Sequence, residues 1–114
     1  MKILVVDDEQ ALATGLSEVL SLYNVDSDVS FSAEEALLQL ESNDYDAIVS
    51  DLRMPDTDGL EFLEILKTRN LLPRKFVFLS GYSVLTEDQS AELGVTATLI
   101  KPIRVKELLQ VLEA

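Results

Sequence analysis

Asp7 and Asp8, Asp51, Ser80 and Lys101 each stand at or just beyond the end of a short apolar run. The runs are Ile3-Leu4-Val5-Val6, Ala47-Ile48-Val49-Ser50, Phe76-Val77-Phe78-Leu79 and Leu99-Ile100. If these runs are neighbouring parallel strands, their polar tips meet at one edge of one sheet. Carboxylates that share a crevice repel one another, and each resists ionisation unless a cation compensates. Mg²⁺ is the natural compensator, because it takes a few carboxylates and completes its octahedron with waters or phosphate oxygens. One carboxylate can then attack a phosphorus centre as a nucleophile. Asp51 is best placed for that, since it stands alone at the end of its strand, ahead of a turn. Asp7 and Asp8 suit the metal, one directly and one through water. Lys101 can pair with a carboxylate at rest and with a phosphoryl oxygen afterwards, and Ser80 can donate a hydrogen bond to another. Such a transfer is mostly positioning and charge neutralisation.

Taken singly, each of these residues has an ordinary reading. A lone Asp at a strand end is more often a helix cap, and Asp8 is a candidate cap for the first helix. A lone Ser80 reads as a loop serine. The pointer to chemistry is their joint order along the chain.

Composition narrows the field. The 114 residues include no Cys and no His. The usual zinc ligands and all thiol chemistry are therefore missing, and a metal must be a hard, oxygen-bound ion. The formal charge is −12, from 21 acids against 9 bases. That balance opposes nucleic-acid binding by this domain and favours a cation or a basic partner surface. No apolar run approaches the ~20 residues of a membrane span. Asp7, Asp8 and Glu9 also break the first apolar run too early for a signal peptide. A cytoplasmic protein without a membrane partner is the expectation.

The elements that must position these residues alternate strictly. Lys2 to Asp7 and Asp46 to Asp51 read as buried strands, and Lys75 to Ser80 and Thr96 to Ile100 as two more. Val25 to Phe31 alternates apolar and polar residues like a strand at a sheet edge. Leu12, Leu16, Val19 and Leu20 recur at helical spacing before Asn24. Ser32 and Glu35 form a capping box for a helix carrying Ala36, Leu37 and Leu40. Arg53 to Gly59 is dense in turn residues, and a helix with Leu60, Phe62, Leu63 and Leu66 follows. Thr86 and Gln89 suggest another capping box, on a helix with a thin apolar face that Gly94 ends. Val105, Leu108, Leu109 and Leu112 form the clearest amphipathic stripe. Five strands alternating with five helices predict a single doubly wound α/β domain with a parallel sheet of order 2-1-3-4-5. In such a sheet the ligand crevice opens beyond the strand ends where the order reverses, between the strands that end in Asp7-Asp8 and Asp51.

The chain resembles the receiver domain of two-component response regulators over essentially its full length. The matching motifs are Ile3 to Glu9, Asp51 to Gly59, Ser80-Gly81 and Lys101-Pro102. The resemblance implies a flavodoxin-like fold and a phosphorelay in which Asp51 accepts a phosphoryl group from a histidine kinase's phosphohistidine. It implies Mg²⁺, with Mn²⁺ as a substitute, held by Asp8, Asp51 and the backbone carbonyl of Arg53, with Asp7 acting through water. Ser80 and Lys101 become the switch hydroxyl and the phosphate-binding lysine, and the Lys101-Pro102 bond is expected to be cis. The implied partners are a sensor histidine kinase or phosphotransfer domain and a downstream output domain or effector. Phosphorylation-dependent homodimers are common in the family. The only chemistry expected is self-phosphorylation and slow hydrolysis, without enzymatic turnover. Residues 1–114 are expected to be one receiver domain with no output domain in the chain, and Met1 favours an N-terminal position.

One position departs from the family pattern. Three residues before the lysine the family carries Tyr or Phe, and here that position is Thr98. This puts the usual ring-based readout in doubt and keeps open a degenerate receiver that acts only as a phosphorylation-independent interaction module. Arg53 and Tyr82 are expected near the phosphoryl group, where their bulk would slow hydrolysis. A haloacid-dehalogenase-type phosphatase needs a second Asp two residues after the nucleophile, where this chain has Arg53. A flavodoxin-like cofactor binder needs a small-residue phosphate loop, where it has Asp7-Asp8-Glu9-Gln10.

Overall fold

The computed structural model describes residues 1–81 and 86–113, with nothing stated of the Glu87 side chain. The chain runs β1 (Lys2–Val6), α1 (Gln10–Leu22), β2 (Asp26–Ser30), α2 (Ala33–Ser42), β3 (Ala47–Asp51), α3 (Gly59–Thr68), β4 (Lys75–Ser80), α4 (Glu87–Leu93), β5 (Ala97–Ile100) and α5 (Val105–Glu113). All four strand pairings are parallel, and the sheet order is β2-β1-β3-β4-β5. This is the doubly wound arrangement expected from the alternation, and the flavodoxin-like fold that the resemblance implied. The inner strands are continuous apolar runs because both of their faces are covered.

Successive strand residues point to opposite faces, which splits the core in two. On one face Ile3, Val5, Val49, Val77, Leu79 and Leu99 pack with α1 and α5 through Leu20, Leu108 and Leu112. On the other, Leu4, Val6, Ile48, Phe76 and Phe78 pack with α2 and α3 through Ala36, Phe62, Leu63 and Leu66. Phe76 meets Phe78 edge-on, with ring centroids 4.9 Å apart. Each fully buried side chain of this kind contributes about 1.5–3 kcal/mol.

Several local expectations need adjusting. Asp8 does not cap α1: the cap position is Glu9, with no side-chain hydrogen bond of its own. Leu12 and Val19 were expected on the buried stripe of α1, yet both stay exposed while Ala13 and Leu20 face the sheet. Leu12, Leu16 and Val19 instead line a cavity of about 630 Å³ toward Ile103 and Val105 on the α5 side. Leu60 likewise lies on the outer side of α3. At α2 the Ser32 hydroxyl accepts the Glu35 amide at 3.1 Å. The reciprocal box forms at α4, between Thr86 and Gln89. Asp58, read only as a turn residue, caps α3 by accepting the Glu61 amide at 2.9 Å.

At the amino-terminal edge of the sheet, Tyr45 donates to Asp28 at 2.6 Å and lies 3.0 Å from Gln39 Oε1. Burial first, and then Asp28, hold the Tyr45 phenol well above its ordinary pKa. No helix among the described residues is long and apolar enough to cross a membrane.

Candidate functional site

The crevice forms where β1, β3, β4 and β5 end. Asp7 continues the β1 ladder, its amide donating to the Ser30 carbonyl at 3.0 Å. The chain then turns, and the Asp7 carboxylate accepts the Glu9 amide at 3.0 Å. That turn holds Asp7 buried and leaves Asp8 more open to solvent. Asp51 ends β3, in register with Leu79 of β4, and is 7% exposed. Ser80 ends β4, in register with Ile100 of β5, and is 2% exposed. The Lys101 amide then donates to the Ser80 carbonyl at 2.7 Å, which ties β5 to β4 at the level of the site. Lys101-Pro102 is a cis bond, as the resemblance implied.

Carboxylate oxygens of Asp7, Asp8 and Asp51 all lie within 4.8 Å of one another. Lys101 Nζ reaches across, 3.1 Å from Asp7 and 3.5 Å from Asp51. The sequence therefore named a group that the fold does bring together. Burial lifts the Asp51 carboxyl above the ordinary carboxylate value; Lys101 opposes the rise and Asp7 adds to it. The Arg53 backbone also hydrogen-bonds to Asp51 and favours its charged form. For Lys101 burial works against the charge, but the hydrogen bond to Asp7 and the two carboxylates outweigh it, and the ammonium holds its proton more tightly than usual. One ammonium cannot neutralise three acids. The donor set is thus an oxygen cage with excess negative charge, suited to a divalent hard cation.

Gly59 was missed as a site residue. A Cβ built there would lie 2.7 Å from the Asp51 carbonyl oxygen and 2.9 Å from both Leu52 Cα and the Phe78 ring. Its amide donates to the Leu52 carbonyl at 3.0 Å. The amino end of α3 is therefore seated directly on the end of β3, and only glycine permits that approach. The signal was present in Asp58-Gly59, but a turn reading accounts for the same letters. Arg53 is exposed beside the site, and Tyr82 lies outside the described residues.

The family model described as response regulator receiver domain matches residues 3–113. Over 110 residues the chain is 34% identical to the response regulator ArlR of Staphylococcus saprophyticus, covering 95% of this chain and 49% of that protein. It is 33% identical over 110 residues to the two-component response regulator ORR21 of Oryza sativa subsp. japonica, covering 95% and 16%. The chain thus spans about half the length of the first relative and less of the second. Among solved structures, the receiver domain of the Francisella response regulator 1452 matches with a TM-score of 0.86 at 32% identity, covering 98% of this chain and 93% of that one. A Burkholderia pseudomallei response regulator with a phosphorylated aspartic acid, a calcium ion and citrate matches at 0.85 with 26% identity, covering 97% and 65%.

Proposed function

The chain belongs to the response regulator receiver domain family of two-component systems, and from that membership we propose that Asp51 is its phosphoacceptor. The donor is the phosphohistidine of a sensor histidine kinase or phosphotransfer domain, and the product is a conformational switch. The observation that carries this reading is the meeting of Asp7, Asp8 and Asp51 under a single lysine.

An Asp51 carboxylate oxygen attacks phosphorus. A P–O bond forms as the P–N bond to the donor imidazole breaks, and the imidazole nitrogen leaves with the bonding pair and takes up a proton. Lys101 keeps its hold on Asp7 and turns from Asp51 to a phosphoryl oxygen, while Ser80 donates to another. Receiver domains bind a divalent metal at an acidic pocket, and the three carboxylates here fit one. Asp8, Asp51 and the Arg53 carbonyl would hold Mg²⁺, or Mn²⁺ in its place, with Asp7 acting through water. When bound, the ion offsets the repulsion between the carboxylates and the incoming phosphoryl oxygens. The chain's own chemistry is limited to self-phosphorylation and slow hydrolysis, so it is a switch and not a turnover enzyme.

Residues 1–114 act as one receiver unit in the cytoplasm, and an output domain or separate effector reads its state. Phosphorylation-dependent pairing of two copies is part of the same reading. With a net charge of −12, direct nucleic-acid binding is left to such a partner. The test is intact-mass measurement after acetyl phosphate treatment, with and without Mg²⁺. One added phosphoryl group that depends on the metal supports the proposal, and none in either condition overturns it.

A further inference from the structure

Gly15 lies in the middle of α1, where neither backbone nor packing requires a glycine. Its φ is not positive, and a Cβ built there would meet nothing within 4 Å. Gly59 is the contrast, since a Cβ there would strike backbone. A glycine inside a helix lowers the helical equilibrium about fivefold relative to alanine. What the bare position does is keep open the cavity of about 630 Å³ that Gly15 lines.

That volume falls within the roughly 300–1,000 Å³ typical of small-molecule sites. Its walls are apolar, with Leu16 and Val19 on α1 and Ile103 and Val105 beside α5. Asp7 and Lys101 bring charge into the lining where the cavity meets the acidic crevice. The Asp7 carboxylate accepts the Glu9 amide through one oxygen and the Lys101 ammonium through the other. A carboxylate offers about four lone-pair sites, so Asp7 keeps acceptor capacity. Asp8 and Asp51 belong to the same cluster, and one lysine leaves the charge there negative. Such an end repels an anion and draws a cation.

We propose that this cavity binds a small organic cation, an apolar body of one or two rings ending in a single ammonium. The body fills the space that Gly15 leaves between α1 and Ile103, and the ammonium donates to Asp7. A positive charge at Asp7 opposes a second cation among the same carboxylates. The organic cation and a divalent metal therefore weaken each other's binding by one common factor. The cavity is then a chemical input to the domain, separate from any phosphoryl donor. The antagonism rests on the proposed metal site, whereas uptake of the organic cation does not.

The probes are naphthylmethylamine, naphthylmethanol and naphthoic acid, which share a body and differ in charge. Their affinities are read from methyl NMR shifts of the metal-free protein. The amine should bind with a Kd of about 1 mM or tighter, the alcohol about tenfold more weakly and the acid more weakly still. Gly15→Leu places its side chain in the cavity and should weaken amine binding tenfold or more. Its urea midpoint should equal or exceed that of wild type, because leucine is the better helix former. Asp7→Asn should remove the preference for the amine over the alcohol. With the amine bound, Mg²⁺ affinity should fall by roughly fivefold or more. Equal affinity for the three probes overturns the proposal, as does unchanged amine binding in Gly15→Leu. A lowered midpoint in Gly15→Leu also overturns it, since the space would not be open. So does a wild-type dimer that Gly15→Leu separates, since the cavity then takes a second copy. Should Mg²⁺ fail to bind even without the amine, the metal reading fails alone, and the three probes still decide the cavity.

Discussion

Gly59→Ala is the substitution whose outcome the site geometry fixes most tightly. The added carbon would stand 2.7 Å from the Asp51 carbonyl oxygen and 2.9 Å from Leu52 Cα, and both are backbone atoms that no rotamer change can move. The Phe78 ring, also at 2.9 Å, belongs to the packed core. Either the amino end of α3 lifts or the end of β3 moves. Overpacking of this kind costs roughly 1–3 kcal/mol, and backbone clashes belong in the upper half of that range. Alanine's helix preference returns at most ~1 kcal/mol. A net loss of about 2 kcal/mol should lower the urea midpoint by about 1 M at an m-value of ~2 kcal/mol/M. Gly15→Ala is the matched control. Nothing lies within 4 Å of a Cβ at that position in α1, so the same change should stabilise by about 0.4–1 kcal/mol. Because the struck oxygen is Asp51's own, Mg²⁺ affinity should fall in Gly59→Ala and not in Gly15→Ala. Equal midpoints for the two variants would refute the close-approach argument.

Other outcomes follow from the same geometry. Asp51 is held above its ordinary pKa, so its ionisation costs stability once the pH rises above the ordinary carboxylate value. Metal-free Asp51→Asn should therefore be more stable than wild type at neutral pH, with the gain shrinking as the pH falls, as denaturant midpoints across pH will show. Mg²⁺ should stabilise wild type by about 1.4 kcal/mol at ten times its Kd, and the Asn variant by less. The Tyr45 phenol is raised, so its share of stability is full below its ordinary value of 10.0 and drains away as the pH climbs beyond it, by up to ~1.4 kcal/mol per pH unit. Tyr45→Phe should flatten that alkaline slope in unfolding curves. Arg53, exposed beside Asp51, should hinder the hydrolytic water. Arg53→Ala is accordingly expected to speed loss of the phosphoryl group in a dephosphorylation time course.

The legible parts of the fold were those that sequence encodes by period and punctuation. The apolar runs of β1, β3 and β4 are buried on both faces, so their continuity gave the sheet, and the alternation with helices gave its order. The acids and Lys101 were legible because strand ends are countable and the switch-point rule says which ends meet. The orientation of α1 was not, since Leu12 and Val19 are as apolar as Leu20 and only tertiary packing leaves them on the groove side. Asp8 offered the letters of a cap, yet the turn that lets Asp7 accept the Glu9 amide places the cap one residue later. Close backbone approach at Gly59 leaves no mark in a sequence beyond the glycine itself. Thr98 Oγ1, buried and without a hydrogen-bond partner among the described residues, was equally hidden: the letter showed a missing ring and nothing of the hydroxyl's surroundings.

The central claim is that Asp51, and neither neighbouring acid, takes the phosphoryl group. Borohydride reduction of the protein after acetyl phosphate and Mg²⁺ converts an acyl phosphate to an alcohol, and peptide mass spectrometry then reads the modified position. Homoserine at position 51, absent from untreated protein and from Asp51→Asn, is the predicted result. Reduction at Asp7 or Asp8, or at no residue while Mg²⁺ is bound, would contradict the account.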